Sequence, residues 1–259
     1  MEISIILINF NSQLFLKKCL KSIENKIEDK DFLKKIEVII VNNESKPLEL
    51  KEKFCFRIKK IENKKNLGFA QGCNIGAHKA QGKYLFFLNP DTEILMGDFS
   101  SIIKKFNSNP SLGIVGTKII EKTKNLPQPW TCGKKTSLIR ILFKNSINKP
   151  WNKDKPVVVD WVSGTSFFIK KTDFQKVKGF DEKFFMYFED QDLCLRLKKI
   201  GKFCLFFPDF SITQYNGKSW DNDKKKKESY YQSQNYFFKK HLSQIELFLL
   251  TLTKKLLNK

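Results

Sequence analysis

The stretch Ile3-Ser4-Ile5-Ile6-Leu7-Ile8-Asn9-Phe10-Asn11-Ser12 decides the fold class. Its isoleucine-rich run from Ile3 to Ile8 gives way to a polar cluster, after which Leu16, Cys19, Leu20 and Ile23 recur at helical spacing. That order is strand, polar turn, helix. The pattern returns at Glu37 to Val41, which ends in Asn42-Asn43-Glu44-Ser45. Phe54 to Ile61 is a third strand candidate, and Tyr84 to Leu88 a fourth, ending in Asn89-Pro90-Asp91-Thr92. Apolar strands separated by helices are buried on both faces, so the pattern predicts an α/β fold with a mostly parallel, doubly wound sheet. Ligands of such sheets bind beyond the carboxyl ends of the strands. Asn and Asp also make good turns and caps, but three of these four strands ending in Asn or Asp clusters point to one crevice.

Between the third and fourth strands, Gly72, Gly76 and Ala80 repeat every four residues, which lets one helix face approach the sheet closely. Neither G-x-G-x-x-G nor G-x-x-x-x-G-K-[ST] occurs, so the dinucleotide and P-loop readings lose their motif. From about Thr123 to Lys155 the chain is rich in proline and lacks periodicity, the mark of a long irregular excursion that acts as a lid or mobile segment. Val157 to Trp161 and Phe167 to Ile169 then read as further strands of the same sheet, carrying the other half of the site.

A chain of 259 residues with 41% hydrophobic content builds a sizeable core, which excludes disorder as its main description. The longest apolar runs, such as Tyr84 to Leu88 and Leu247 to Leu250, fall far short of the roughly 20 residues that span a bilayer. Met1-Glu2-Ile3-Ser4 has no basic n-region. The expectation is no transmembrane helix, no signal peptide and a cytoplasmic location. Six cysteines without C-x-x-C spacing are expected to be reduced and mostly buried, which excludes disulfide frameworks and zinc ribbons. The net charge of +21 would suit a nucleic-acid binder. However, only Arg57, Arg140 and Arg196 are arginines, and the lysines are spread along the chain beside Asn, Ile and Phe, as an AT-rich coding sequence produces. The alternative is a real attraction to anionic partners: a nucleotide, a phospholipid surface or a diphosphate-linked acceptor. A nucleic-acid-binding module would interleave aromatic and basic residues on an exposed face. The phenylalanines here sit mostly in apolar runs, so no nucleic-acid partner is expected.

The densest polar cluster, Gly179-Phe180-Asp181-Glu182 through Tyr187-Phe188-Glu189-Asp190-Gln191-Asp192-Leu193, leads into a helical run that stops at Gly201. Glu189, Asp190 and Asp192 thus stand at a helix N-terminus. There acidic residues complement the dipole, and Asp192 can pair with Arg196 one turn on. The preceding Phe184-Phe185-Met186-Tyr187-Phe188 would also partly desolvate a carboxylate and raise its proton affinity, as suits a general base. Both readings stand on the residues alone.

Taken in order, Ile5 to Asn11, Val41 to Ser45, Asn66-Leu67-Gly68-Phe69-Ala70, Asn89 to Thr92, Gly179 to Glu182 and Tyr187 to Leu193 make residues 2 to about 220 resemble family 2 glycosyltransferases, most closely the rhamnosyltransferase type. The resemblance implies a GT-A fold, a nucleotide-diphosphate sugar donor, a divalent metal (Mg or Mn) and inversion at the anomeric carbon by single displacement. It divides the chain into a glycosyltransferase domain, 1–222, and a basic amphipathic helical tail, 223–259. Within that domain, 1–122 would be the nucleotide-sugar-binding half and 123–222 the acceptor and catalytic half. Carried over by position, Asn9 and Asn11 would line the nucleotide pocket, while Asn42 and Asn43 would approach base and ribose. Asn66, Gly68, Phe69 and Asn74 would support the donor, with Asn89 beside it. Asp91 would meet the metal and diphosphate, and Trp161 and Gly164 would border the acceptor. Asp190 would be the base, flanked on the acceptor side by Glu189 and Asp192. Two positions depart from the family pattern: Asn42 replaces an aspartate, and Gln214 stands where a histidine is common. Glutamine offers Mg²⁺ a neutral oxygen but suits softer metals less well than imidazole.

In the tail, Lys224 to Lys227 form a basic run. Phe238, Leu242, Ile245, Leu249, Leu252 and Leu256 then alternate steps of four and three, an apolar helical seam. Such a seam suits packing on its own domain, a membrane surface or a dimer partner. His78 and His241 lie outside every motif and read as surface or packing residues. The function that follows is transfer of one sugar to a glycan or lipid-linked glycan acceptor in cell-surface polysaccharide synthesis. A nucleotidyltransferase on the same fold is the rival enzyme.

Overall fold

The computed structural model describes residues 1–135, 154–215 and 223–257. Strand β1 (Ile3–Asn9) shows how the sheet is covered. Ile3, Ile5 and Leu7 face one core and Ile6 and Ile8 the other, the alternation that a pleated strand requires. On the first face lie α1 (Gln13–Lys26), α2 (Lys30–Leu33) and α4 (Phe99–Ser108). The second face carries α3 (Phe69–Lys79), α5 (Lys171–Lys176), α6 (Glu189–Lys199), α7 (Asp223–His241) and α8 (Gln244–Leu257). The chain is therefore wound on both sides of its sheet, as expected.

Strands β2 (Ile36–Asn42), β3 (Arg57–Glu62), β4 (Tyr84–Leu88), β5 (Thr92–Met96), β6 (Leu112–Glu121), β11 (Ser166–Lys170) and β12 (Phe203–Gln214) join β1 in the order β3-β2-β1-β4-β11-β6-β12-β5. Pairing is parallel through β3-β2-β1-β4 and between β6 and β12. Antiparallel β11 slots between β4 and β6, and antiparallel β5 closes the far edge. Short strands β7 (Leu126–Pro127) and β9 (Val157–Val159) pair with β6 and β12, while β8 (Cys132–Gly133) and β10 (Trp161–Val162) form a separate ribbon.

Three expectations need correction. The third strand begins at Arg57 rather than Phe54, and its charged side chains around Ile58 and Ile61 belong to a sheet edge that lysines keep in water. The seam in the tail is broken: α7 ends at His241 and α8 starts at Gln244. Ser243 and Glu246 form a reciprocal capping box, with the Ser243 N–H and hydroxyl donating to Glu246 Oε2 and the Glu246 N–H donating to Ser243 Oγ. Nor is the tail separate, since Phe237, Phe238 and Leu250 are buried in the same core as α3 and α6. The excursion read over 123–155 falls largely outside the described residues, at 136–153. Five cysteines are buried and Cys55 is exposed. Among the described residues no helix is long and apolar enough to cross a membrane.

The glycine stripe of α3 does what its spacing suggests. A Cβ at Gly76 would lie 2.6 Å from Ile6 Cγ2, and one at Gly72 would lie 3.1 Å from Ile8 Cγ2. The helix thus rests directly on β1 and brings its N-terminus to the strand ends.

Candidate active site

The carboxyl ends of β1 and β2 are tied into one hydrogen-bonded shelf. Asn9 Nδ2 donates to Asn42 Oδ1 at 2.7 Å and to Glu44 Oε1 at 3.0 Å, while Ser12 Oγ donates to Asn9 Oδ1. Asn42 Nδ2 donates in turn to the Lys46 carbonyl and to Glu62 Oε2 at 2.6 Å. Asn43 Nδ2 donates to the Gly68 carbonyl, and Asn43 Oδ1 accepts from Asn63 Nδ2. Asn9, Asn42 and Asn43 are at most 1% exposed. Their side chains therefore hold the strand-end loops together, which corrects the expectation that all three face a ligand. Asn74 is likewise engaged, donating to the Phe180 carbonyl and to Glu182 and accepting from the Phe180 N–H. Asn11 and Asn66 are exposed at the rim, and Phe69 and Asn89 are half-buried. Asn66 Oδ1 accepts from the Gly68 N–H and shapes the turn into α3.

A second shelf adjoins the first across β4 and β11. Antiparallel pairing sets Ser166 against Leu88, and the Asn89 N–H donates to the Thr165 carbonyl at 2.9 Å. The loop that carries Asp91 and the loop that carries Gly164 therefore leave the sheet side by side. The Gly164 N–H donates to Asp190 Oδ2 at 2.8 Å, and the Gln191 N–H donates to Asp190 Oδ1 at 2.7 Å. A short run of backbone, from Asp91 through Asn89 and Thr165 to Gly164, thus links the two key carboxylates.

Asp190 is half-buried. Desolvation raises its pKa, and the Gly164 and Gln191 N–H groups offset part of that rise. Glu189 is 5% exposed, its Oε2 has no hydrogen-bond partner, and burial followed by the charge of Asp190 pushes it well up. Glu189 lies under Gly164, where an added Cβ would sit 3.6 Å from Glu189 Oε1 and 3.2 Å from the Phe69 ring. Trp161 is half-buried and donates through Nε1 to the Lys134 carbonyl at 3.1 Å.

Asp192 corrects its assignment to the acceptor side. It is fully buried and turned away from Asp190, bound by Arg196 Nε, Lys240 Nζ and His241 Nε2, each at 2.7 Å. Burial alone would push this carboxyl up. The His241 hydrogen bond, the Arg196 charge and the Lys240 hydrogen bond outweigh it and hold the pKa at about 2.

Asp91 is 5% exposed at the start of β5, facing Gln214 at the end of β12. Gln214 Nε2 lies 3.3 and 3.4 Å from the two Asp91 carboxylate oxygens, and Gln214 Oε1 is buried without a hydrogen-bond partner. A carboxylate beside an amide whose oxygen lacks a partner is a set of hard oxygen donors, which fits Mg²⁺ or Mn²⁺. Among the described residues, no cluster of three or more His, Cys, Asp or Glu side chains could hold a metal.

Residues 4–190 match the family described as Glycosyl transferase family 2. The chain belongs to that family. The rhamnosyltransferase WbbL of Escherichia coli is 32% identical over 142 residues, covering 52% of this chain and 53% of that protein. A GalNAc(5)-diNAcBac-PP-undecaprenol beta-1,3-glucosyltransferase of Campylobacter jejuni is 30% identical over 194 residues, 71% of this chain and 56% of its own length. The chain spans about half the length of the curated relatives it matches. The crystal structure of GalNAc-T7 with UDP, GalNAc and Mn2+ superposes with a TM-score of 0.66 at 18% identity, covering 86% of this chain and 44% of that one. That likeness shows the fold, GT-A.

The fold also brings in residues that the motifs did not reveal. Glu44 and Glu62 complete the asparagine shelf. His241, read as a surface or packing residue, is buried against Asp192 and packs on the Phe237 ring at 4.8 Å. His78 is exposed, as expected. The signal for α7 was available in the spacing of Tyr230, Ser233, Phe237 and His241, steps of three, four and four that form one helix face.

Proposed function

We propose that this chain moves a sugar from a nucleotide-diphosphate donor to a hydroxyl of a lipid-linked glycan acceptor, with inversion, and that Asp190 is the base. The observation that carries this reading is Asp190 itself: a half-buried carboxylate, fixed by two backbone N–H groups and linked through Thr165 and Asn89 to the Asp91 loop. Asp190 takes the proton of the acceptor hydroxyl as its oxygen attacks the anomeric carbon. The bond from that carbon to the diphosphate oxygen breaks on the opposite face, and the nucleoside diphosphate leaves. Burial that raises the proton affinity of Asp190 suits this step.

The donor half is Asn9, Asn11, Asn42, Asn43, Asn66, Gly68, Phe69, Asn74 and Asn89. Asn11, Asn66, Phe69, Asn74 and Asn89 are the members with exposed surface to offer a nucleotide sugar, and the buried Asn9, Asn42 and Asn43 keep the rim in shape. Asp91 and Gln214 would hold a divalent cation, which when bound offsets the charge of the departing diphosphate. Trp161 and Gly164 border the acceptor, with Glu189 beneath them and Asp192 behind as an anchor.

A peripheral contact with the inner face of the membrane belongs to the same reading. On α8, Ile245, Phe248, Leu249 and Leu252 are 72%, 63%, 42% and 41% exposed. Their spacing of three, one and three puts them on one face of the helix. An exposed apolar stripe on a chain of net charge +21 suits an anionic lipid surface, and the Campylobacter relative is named for an undecaprenol-linked acceptor.

The test is Asp190→Asn, nearly isosteric, assayed for transfer and separately for donor binding and melting. Transfer should fall at least about 100-fold with donor affinity and Tm nearly unchanged. Near wild-type transfer by Asp190→Asn, combined with inactivity of Glu189→Gln, would move the base to Glu189. A screen of nucleotide sugars for thermal stabilisation identifies the donor, since about 100 times Kd adds about 2.7 kcal/mol.

A further inference from the structure

Asp190 owes its place to a backbone feature two residues earlier. Tyr187 and Phe188 have φ of 72° and 68°, the left-handed region that bulky side chains rarely adopt. Phe188 is the N-cap of α6 and makes no side-chain cap bond. Bulky residues hold such a conformation where neighbours impose it. The Phe69 N–H of α3 donates to the Phe185 carbonyl at 2.7 Å, and a larger set of contacts comes from α7. Ser233 Oγ donates to the Met186 carbonyl at 2.7 Å. The Tyr230 ring packs on Tyr187 and Phe188 at 5.6 and 5.3 Å, and Phe237 packs on Phe188 at 5.3 Å. One turn further, Lys240 and His241 close on the buried Asp192 carboxylate, two residues past Asp190.

We propose that α7 is the positioning element of the base: the face Tyr230, Ser233, Phe237 and His241 locks the left-handed turn at Tyr187–Phe188 and the first turn of α6, so that Asp190 stays on the Gly164 N–H. None of these residues touches Asp190, and they act through Met186, Phe188 and Asp192. The inference rests on the reading of Asp190 as base only in its kinetic part, because the geometric part holds whatever Asp190 does chemically.

The experiment uses the full chain with His241→Ala and, as a milder change, Ser233→Ala, with His241→Gln as the conservative control that keeps a hydrogen-bonding group near the position of Nε2. Amide hydrogen exchange is read at Gly164 and Gln191, whose N–H groups both donate to Asp190. Exchange there should quicken at least about tenfold in the alanine variants while amides of β1 and β4 stay protected, as local opening allows. In the kinetics, kcat should fall by about 10- to 100-fold at unchanged donor Kd, the scale of loss that a misplacement on the order of 1 Å produces. The pH profile adds a readout that loss of folded protein cannot mimic. Asp190 must be ionised to act, and burial holds its pKa up. Loosening admits water, so the acidic limb of kcat should move to lower pH. Glu189 precedes Asp190 on α6 and lies under Gly164, with Asp192 and Arg196 further along the helix. Asp181, Lys183, Lys240 and the His241 imidazole are the ionisable groups between the catalytic loop and α7 among the described residues. His241→Gln should restore most of each effect. Unchanged exchange at Gly164 and Gln191 in folded His241→Ala and Ser233→Ala would overturn the proposal. Quickened exchange with unchanged kcat would leave α7 as the positioning element and refute Asp190 as base.

Discussion

Replacing Asp192 by Asn tests the charge cluster on which the catalytic loop rests. The carboxylate is fully buried, and its three partners hold its pKa at about 2 against an ordinary 3.8. At 1.36 kcal/mol per pKa unit, that difference represents about 2 kcal/mol of stability. The sign follows from the direction of the shift: a depressed carboxyl stabilises the fold above the unfolded pKa near 4, and the contribution fades as pH falls towards 2. Asparagine also leaves Arg196 and Lys240 without their buried counter-charge, and breaking such a pair costs about 3–5 kcal/mol when nothing else compensates. Here Arg196 keeps the Val177 carbonyl and Lys240 keeps Asp181, with the two side chains 19% and 26% exposed. With those partners kept, the cost falls to the bottom of that range or just below it, so Asp192→Asn should cost about 2–3 kcal/mol at pH 7. For a chain of this size that lowers Tm by about 4–12 °C. Parallel urea titrations of wild type and variant at pH 7, 5, 4 and 3 measure it, and the difference between them cancels the general acid sensitivity of a chain of net charge +21. The gap should be constant down to about pH 5 and narrow below pH 4. A gap under about 0.5 kcal/mol at pH 7, or one that widens in acid, would refute this account of the cluster.

Further outcomes follow from the same geometry. Gly68 has φ +85°, and a Cβ there would lie 2.5 Å from the Phe185 carbonyl oxygen. Gly68→Ala should therefore cost more than about 1 kcal/mol in urea unfolding and weaken transfer, because the α3 start and the catalytic loop must separate. Asp91→Ala should abolish the metal dependence of donor binding measured by calorimetry with and without Mg²⁺, and undiminished turnover in excess chelator would sink the metal assignment. On anionic vesicles the chain should sediment at low salt and be released at high salt, and Ile245→Ser with Phe248→Ser should prevent sedimentation without lowering Tm.

The parallel half of the fold was legible because β1, β2 and β4 are apolar on both faces, and that pattern has few other solutions in a chain with intervening helices. The antiparallel insertion of β11 was not. A five-residue strand carries no mark of its direction, and direction is set by pairing across the sheet. The site was legible in its positions and less so in its roles. Asn9, Asn42 and Asn43 mark the right strand ends, yet the same amide groups that could meet a ligand satisfy one another and Glu62 in the folded chain. Spacing along one strand does not reveal a partner that arrives from another.

The tail makes the same point for helices. Periodicity alone runs from Phe238 through Leu242 to Leu252, because a helix that ends and restarts can keep apolar residues in step. The break was nevertheless written locally, in Ser243-Gln244-Ile245-Glu246, whose first and last residues cap α8 reciprocally. With that stop in place, the two helices of the tail turn different residues inward and outward. Phe237, Phe238 and His241 face inward to the turn that carries Asp190, while Ile245, Phe248, Leu249 and Leu252 face outward. A cap between two helices lets the first brace the catalytic loop while the second presents its apolar stripe to the surroundings. Lengthening the Leu242-Ser243 joint by a glycine should therefore spare transfer to a soluble acceptor, because the contacts of α7 with Met186, Phe188 and Asp192 all lie before it.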